Sequence, residues 1–233
     1  MKERPTEIVF LPGFDGVAEL RDEFVRELGA IAPARGIGYP NARLETLNGY
    51  ARFAASQVSP ESRPVLVAES FSGLVAARWA AQDPHVAGIV LCGAFARSPV
   101  TWASLGASWP AMAQFVGANS MNPMAYMSGD AARRRWSQAL STAIASLRRD
   151  VVAERLRIVA VDDVTAELQA LRIPVVIAQF QDDLVIGAQA HRVLLGACVE
   201  PRVVRIPGPH FAIETRPRET AAALRAALAA LFE

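Results

Sequence analysis

Two serines, Ser70 and Ser72, lie in the segment AESFSG, where an apolar run gives way to an Ala-rich run. The apolar run predicts a buried strand, and the Ala-rich run predicts a helix. A strand that leads directly into a helix forces its turn residue into a strained conformation and needs small neighbours on both sides. Ser70 has small residues at both required positions, including Ala68, whereas bulky Leu74 occupies one of the positions around Ser72. The pattern therefore predicts Ser70 as a nucleophile and Ser72 as a packing residue.

A serine nucleophile needs a general base, and the chain has three histidines. His210 lies in the loop IPGPHFAIETRP, directly after the last predicted strand. Sites in open parallel sheets gather at the carboxyl ends of the strands, so His210 is the predicted base. His85 precedes its strand and belongs to the other edge of the sheet. His191 lies within a predicted helix and is interpreted as an exposed surface residue.

The base in turn needs a carboxylate that orients its imidazole ring. The segment VVIAQFQDDLVIGAQ offers Asp182 and Asp183 directly after a predicted strand. One of the two could orient the imidazole of His210, and the other could cap the segment that follows. Residue types and spacing leave the choice between them open.

Backbone N–H groups can stabilise the oxyanion that forms when a serine attacks a carbonyl group. One predicted donor is the N–H of Phe71, which follows Ser70. The second is the N–H of Phe14 in the loop FLPGFDG after the first strand, where Gly13 permits close approach of the backbone. A plain Gly-rich turn is the alternative interpretation of that loop.

Short apolar runs that alternate with amphipathic stretches must position these residues. Such strands indicate an α/β fold in which a mostly parallel sheet is covered by helices on both faces. Residues 96–171 break the alternation with a long region that is mostly helical, too long for a plain connection. We expect a core formed by residues 1–95 and 172–233, with 96–171 inserted as a helical lid or cap.

Composition excludes several other classes of protein. The chain has 233 residues, 52% of them hydrophobic, and a net charge of +1, so no global field points to nucleic acid. The two cysteines form no disulfide framework, and Cys92 lies in an apolar run typical of a buried, inert thiol. No metal-type spacing, signal-like segment or membrane span is recognisable, so no metal or cofactor is predicted and the expected location is cytoplasmic.

Four segments resemble motifs of the α/β-hydrolase superfamily, especially its small bacterial serine esterase-like members. AESFSG resembles the nucleophile elbow GHSxGG, LPGFDG the oxyanion loop HGxxG, and GPHFAIETRP the histidine loop HxxxxxxP. QDDLVI resembles the acid loop xDxLVP, and this alignment places the acid on Asp182 rather than Asp183. Two residues depart from the family pattern: Pro12 and Glu69 stand where many members have histidine. The role of Glu69, which needs a partner, is left open.

The resemblance and the Ser70, Asp182 and His210 set imply a serine hydrolase that cleaves carboxylic esters or thioesters through an acyl-enzyme. One alternative keeps the fold but changes the reaction to that of a C–C lyase or a cofactor-free haloperoxidase. Another is a non-catalytic binding module. The complete catalytic set argues against this last alternative.

The expected lid could supply the substrate pocket. Its aromatic and Met-rich residues are either core packing or an acyl pocket, and with one residue of the histidine loop they give the candidate substrate-binding set Trp102, Trp109, Met112 and Phe211. Between Arg97 and Arg172 there are nine arginines against six acidic residues. This excess is either a solvated helix face or a landing site for an acidic acyl donor, such as acyl carrier protein or a coenzyme A thioester.

Overall fold

A single parallel sheet organises the protein. The computed structural model describes residues 4–99 and 131–232, and the strands found there lie in the order β2-β1-β3-β4-β5-β6, with every neighbouring pair parallel. The strands are β1 (Glu7–Leu11), β2 (Ala34–Gly36), β3 (Pro64–Glu69), β4 (Gly88–Cys92), β5 (Val175–Phe180) and β6 (Arg202–Ile206). The predicted α/β architecture is therefore confirmed.

Helices connect the strands, and a 3-10 turn (Ala18–Arg21) precedes the first of them. The helices are α1 (Asp22–Leu28), α2 (Leu47–Ser56), α3 (Ser72–Gln82), α4 (Ala131–Ser146), α5 (Arg149–Val161), α6 (Thr165–Ala170), α7 (Ala188–Ala197), α8 (Ala212–Thr215) and α9 (Pro217–Phe232). None of the helices described is long and apolar enough to cross a membrane.

The central strands form because nearly all their residues are apolar and both faces of the sheet are covered. Every residue of β3 and β4 is buried. Phe24 of α1 and Leu224 of α9 pack on one face, where they join the alternate strand residues that include Val67. Leu47 of α2 and Leu74 of α3 pack on the other face. Successive side chains of a strand point to opposite faces of the sheet, so each strand contributes residues to two separate cores.

The segment between β4 and β5 contains α4, α5 and α6. Its two ends lie side by side, because Arg97 pairs with Asp163 in an antiparallel bridge and Val164 N–H donates to the carbonyl of Ala96 at 2.9 Å. An inserted segment whose ends meet leaves the sheet undisturbed. The division into a core and a lid remains a prediction. Three candidate substrate residues lie outside the residues described, namely Trp102, Trp109 and Met112.

Candidate active site

The predicted nucleophile and base meet at the carboxyl edge of the sheet. Ser70 follows β3 and His210 follows β6, so the chain reaches the same edge from strands far apart in sequence. The distance from His210 Nε2 to Ser70 Oγ is 3.1 Å. This is within hydrogen-bond reach, as a serine and its base require.

Ser70 occupies a strained turn between β3 and α3. Its φ is +50°, a left-handed conformation that few residues other than glycine adopt. The turn is held because Ser70 N–H donates to the Cys92 carbonyl at 2.9 Å and Gly73 N–H donates to the Ser70 carbonyl at 2.9 Å. A Cβ on Gly73 would lie 2.5 Å from the Cβ of Ala94, so the helix could not approach β4 with a larger residue there. The small residues around Ser70 thus permit the strained turn that the sequence predicts.

A glycine that the sequence analysis missed makes room for the imidazole ring. Gly93 follows β4 with φ of +53°, and a Cβ there would lie 3.1 Å from His210 Nδ1. A side chain at this position would push the ring away from Ser70. The signal in the sequence was a glycine directly after a buried strand.

The carboxylate beside the base is Asp183, which corrects the prediction of Asp182. Asp183 Oδ2 lies 2.8 Å from His210 Nδ1, and both side chains are almost fully buried. Asp183 Oδ1 accepts the N–H groups of Val185 and Ile186, each at 2.8 Å. Asp183 therefore both orients the ring and caps its own loop, two roles that the sequence analysis divided between the two aspartates.

Gln181 and Asp182 form a turn directly after β5. Gln181 N–H donates to the Ile206 carbonyl and Asp182 N–H donates to the Gly208 carbonyl, both at 3.0 Å, so the turn is held against β6 and the loop that follows it. Asp183, the first residue after this turn, is the aspartate whose side chain faces His210. Asp182 is exposed.

The two predicted oxyanion donors lie on segments that pack together. The rings of Phe14 and Phe71 meet edge to face with centroids 6.3 Å apart. Among the described residues, no hydrogen bond uses the N–H of Phe14 or of Phe71. Two unused N–H groups on the segments that flank Ser70 are compatible with an oxyanion hole, and that role remains a prediction.

Of the candidate substrate residues, Phe211 lies within the described part of the chain. Its ring contacts the imidazole of His210, with centroids 5.1 Å apart, and the ring of Trp136 on α4, with centroids 4.9 Å apart. Trp136 was not singled out in the sequence. It brings the segment between β4 and β5 next to the base.

Within the described residues, the side chains of the remaining histidines and of Cys92 make no hydrogen bond to Ser70, His210 or Asp183. His85 is exposed and lies 3.1 Å from Asp83. His191 is half-buried, contrary to the expected surface position, and lines a cavity of about 120 Å³ together with Asp183. Burial lowers the pKa of His191 despite the opposing charge of Asp183. Cys92 is buried, and burial raises the pKa of its thiol.

Two buried arginines near the site were also missed by the sequence analysis. Arg21 binds Glu69, the residue whose partner the sequence left open. Arg155 of α5 donates to the Phe14 carbonyl at 2.7 Å, and a Cβ on Gly16 would lie 2.7 Å from Arg155 Nη1. The signal in the sequence was the glycine at position 16, because a residue without a side chain leaves room for another to approach. In the structure Gly16 has a φ of +76°. Within residues 4–99 and 131–232, no group of three or more His, Cys, Asp or Glu could hold a metal ion.

Together, these contacts form a path for one proton. A carboxylate can only accept, so His210 carries its hydrogen on Nδ1 and donates it to Asp183. Nε2 then presents a lone pair to Ser70 Oγ. The arrangement can remove the serine proton and stabilise the imidazolium that results.

Comparisons with known proteins agree with this architecture. The profile of the alpha/beta hydrolase family matches residues 8–223. Among solved structures, an enol-lactonase from Burkholderia xenovorans is 16% identical with a TM-score of 0.77, covering 98% of this chain and 92% of that one. An esterase from Rhodococcus sp. is 20% identical with a TM-score of 0.71, covering 97% of this chain and 91% of that one.

A hydrolase from Oleispira antarctica is similar in structure as well, at 12% identity and a TM-score of 0.76, with 99% of this chain and 92% of that chain covered. Identities this low show a shared fold. Among curated proteins, the sequence finds no significant match. The profile match spans nearly the whole length of the chain, and the protein therefore belongs to the alpha/beta hydrolase family.

Proposed function

We propose that the protein is a serine hydrolase that cleaves carboxylic esters or thioesters through an acyl-enzyme on Ser70. The observation that carries the proposal is the continuous contact from Ser70 Oγ to His210 Nε2, and from Nδ1 of the same ring to Asp183, at 3.1 and 2.8 Å. A serine, an imidazole and a buried carboxylate in this order form the standard arrangement for nucleophilic acyl transfer.

In the proposed reaction, Ser70 Oγ attacks the acyl carbonyl while its proton passes to His210 Nε2. The N–H groups of Phe14 and Phe71 stabilise the oxyanion, a contribution of about 3–4 kcal/mol for each donor in studied cases. The imidazolium, held by Asp183, then protonates the leaving alcohol or thiol. Water, deprotonated by the same imidazole, hydrolyses the acyl-enzyme and restores Ser70.

For the substrate pocket, we propose that residues 96–171 cover it as a lid. The contact between Trp136 and Phe211 supports a lid, since it places an aromatic ring of that segment beside the histidine loop. An aromatic wall near the nucleophile favours an apolar acyl or alcohol group. A small-molecule ester or thioester is therefore the proposed substrate, and a cytoplasmic location remains a prediction from the sequence.

An acyl carrier as substrate donor has weaker support. Several arginines of the inserted segment already have partners within the protein: Arg148 pairs with Asp150, Arg155 is buried, and Arg157 donates to the Glu45 carbonyl. A carrier docked by the remaining positive charge would make KM depend steeply on salt. Kinetics with a carrier-linked thioester that do not change with salt would exclude this donor.

The test of the proposed function is covalent labelling with a fluorophosphonate together with turnover of aryl esters of graded chain length and acyl thioesters. We expect the wild type to be labelled and active. The Ser70→Ala variant should lose both labelling and turnover, because no other group occupies the position of Oγ. Ser72→Ala, two positions away, is the matched serine control and should still be labelled.

If labelling survives in Ser70→Ala and disappears in Ser72→Ala, the nucleophile is Ser72 and the proposal has named the wrong serine. A wild type that is labelled but turns over a non-ester substrate far better than any ester would favour the C–C lyase or haloperoxidase alternative. Failure of the folded wild type to react with any fluorophosphonate would favour a binding module.

A further inference from the structure

A buried ionic cluster lies directly behind the nucleophile turn. The guanidinium of Arg21 donates to Asp15 Oδ1 at 2.8 Å and binds both oxygens of Glu69, at 2.8 and 2.9 Å. Its Nη2 also lies 2.7 Å from Glu214 Oε1. Side chains of all four residues are at least 97% buried. One cation thus joins the loop after β1, the end of β3 and the short helix that follows the histidine.

One cation cannot balance three carboxylates in a buried cluster, so at least one of them is disfavoured in its ionised form. Burial raises the pKa of Glu214 well above its ordinary value, and the negative charge of Glu69 adds to this effect. Within the part of the chain that the structure describes, neither Glu214 oxygen meets a well-directed donor, although Oε1 is close to Arg21. A neutral carboxyl group that donates to Glu69 explains both observations.

Glu69 reaches beyond the cluster to the loop after β1. Its Oε2 accepts the N–H of Gly13 at 3.2 Å. A Cβ on Gly13 would lie 3.1 Å from Oε1, so a side chain would crowd the carboxylate at this position. The residue immediately before the nucleophile therefore holds the backbone of the loop that carries Phe14.

A second side chain near the nucleophile holds the same peptide group from its other end. Ser72 Oγ donates to the carbonyl of Pro12, and the hydroxyl of Tyr39 lies 2.6 Å from Ser72 Oγ. Burial raises the pKa of Tyr39, so this hydroxyl keeps its proton and can donate to Ser72. The Pro12 carbonyl and the Gly13 N–H belong to one planar peptide unit. Its orientation is fixed at both ends by residues that flank Ser70.

We propose that Glu69 and Ser72 are positioning residues that clamp the Pro12–Gly13 peptide and so aim the N–H of Phe14 at the oxyanion above Ser70, with Arg21 holding Glu69 in place. The inference rests on the proposed function, because it assigns a task to a loop of that serine hydrolase site. It also gives Ser72 a role beyond the packing predicted from the sequence.

A misdirected oxyanion donor weakens binding of the transition state more than binding of the substrate. Complete loss of such a donor costs about 100- to 1,000-fold in kcat, so partial misalignment should cost less. For Glu69→Gln and for Ser72→Ala we expect kcat on an aryl ester to fall by about 10- to 100-fold, with KM changed less than threefold. The affinity of an alkyl boronic acid, which forms a tetrahedral adduct on a serine, should fall by the same factor.

The matched control is Glu214→Gln, the same chemical change on the other glutamate that touches Arg21. A glutamine resembles a protonated glutamate in shape and charge, and it can still donate to Glu69. We expect kcat and boronic acid affinity within threefold of the wild type. Melting temperatures of all variants separate positioning from loss of the fold, and Ser72→Ala keeps the test available should Glu69→Gln not fold.

Hydrogen exchange supplies a readout that does not depend on turnover. The amides of residues 13–17 should exchange faster in Glu69→Gln than in the wild type and in Glu214→Gln, because the clamp on the loop is lost. If the wild type is inactive on every ester, the proposed function fails while faster exchange still supports the clamp. Unchanged kcat, boronic acid affinity and exchange in Glu69→Gln would overturn the inference, as would equal damage in Glu214→Gln.

Discussion

Replacement of Asp183 by asparagine is the sharpest test of the geometry around His210. The amide has the same shape as the carboxylate but carries an N–H₂ group in place of one oxygen. Since Oδ1 of Asp183 accepts the N–H groups of Val185 and Ile186, the asparagine must keep its oxygen on that side. Its nitrogen then faces His210 Nδ1, the position now occupied by Oδ2 at 2.8 Å.

The opposite orientation of the amide would point its N–H₂ group at two backbone donors. Each buried N–H left without an acceptor costs about 1–3 kcal/mol, so this flip costs about 2–6 kcal/mol. An amide nitrogen facing Nδ1 forces the imidazole to carry its hydrogen on Nε2, where it cannot accept the proton of Ser70. The productive tautomer is thereby reduced by about 30- to 25,000-fold. The loss of about 10,000-fold in kcat for the same change in a serine protease lies within this range.

The assay compares kcat/KM of Asp183→Asn and Asp182→Asn on the best aryl ester found for the wild type. Asp182 is exposed, so its variant should stay within twofold of the wild type. Melting temperatures confirm that both variants are folded. A large loss in Asp182→Asn with activity retained in Asp183→Asn would refute the reasoning, because it would place the orienting carboxylate one residue earlier in the chain.

Two further predictions concern stability. In the folded protein the pKa of Glu214 is raised above its usual value of 4.5, so the group binds a proton more tightly there than in the unfolded chain. The free energy of unfolding of the wild type should therefore fall by up to about 1.4 kcal/mol per pH unit as pH rises above 4.5. Glu214→Gln lacks the titrating group and should not share this loss. Denaturation curves of the two proteins between pH 5 and 8 test this, and a constant difference would contradict it. Gly73→Ala should lose about 1–3 kcal/mol because its Cβ would lie 2.5 Å from the Cβ of Ala94. Gly196→Ala, where nothing lies within 4 Å of the added Cβ, is the control, and equal melting temperatures would argue against the overlap.

The sequence was sufficient to predict the sheet and to single out Ser70 and His210, which the structure places in contact, because both depend on local patterns. Apolar runs mark strands that are covered on both faces, and the residues around Ser70 have the sizes that a tight turn requires. The edge strand was less well placed. The residues GIGYP (Gly36–Pro40) predict a short strand by their pattern, whereas β2 is Ala34–Gly36. A short strand with a single neighbour has little apolar content to mark its bounds.

The choice between the two aspartates and the cluster around Arg21 depend on tertiary structure instead. The orientation of Asp183 depends on the turn that follows β5 and on the two backbone N–H groups that Asp183 accepts, which no residue type records. Arg21 lies on a 3-10 turn whose sequence predicts the start of an amphipathic helix. Its partner Glu69 is 48 residues away, so the helical pattern gives no sign of the pairing. A charge that is buried against distant charges leaves no periodic signal along the chain.

The hydrogen bond from Arg155 to the Phe14 carbonyl has a consequence for protein engineering. Arg155 belongs to the segment between β4 and β5, whereas Phe14 belongs to the loop that carries a proposed oxyanion donor. A chimera that takes this segment from a relative would exchange the proposed lid and also remove a support of the loop after β1. Transplants should therefore keep an arginine at this position and a glycine at Gly16 to receive it. Without these two residues, a chimera that gains a new substrate preference would also change its reaction rate.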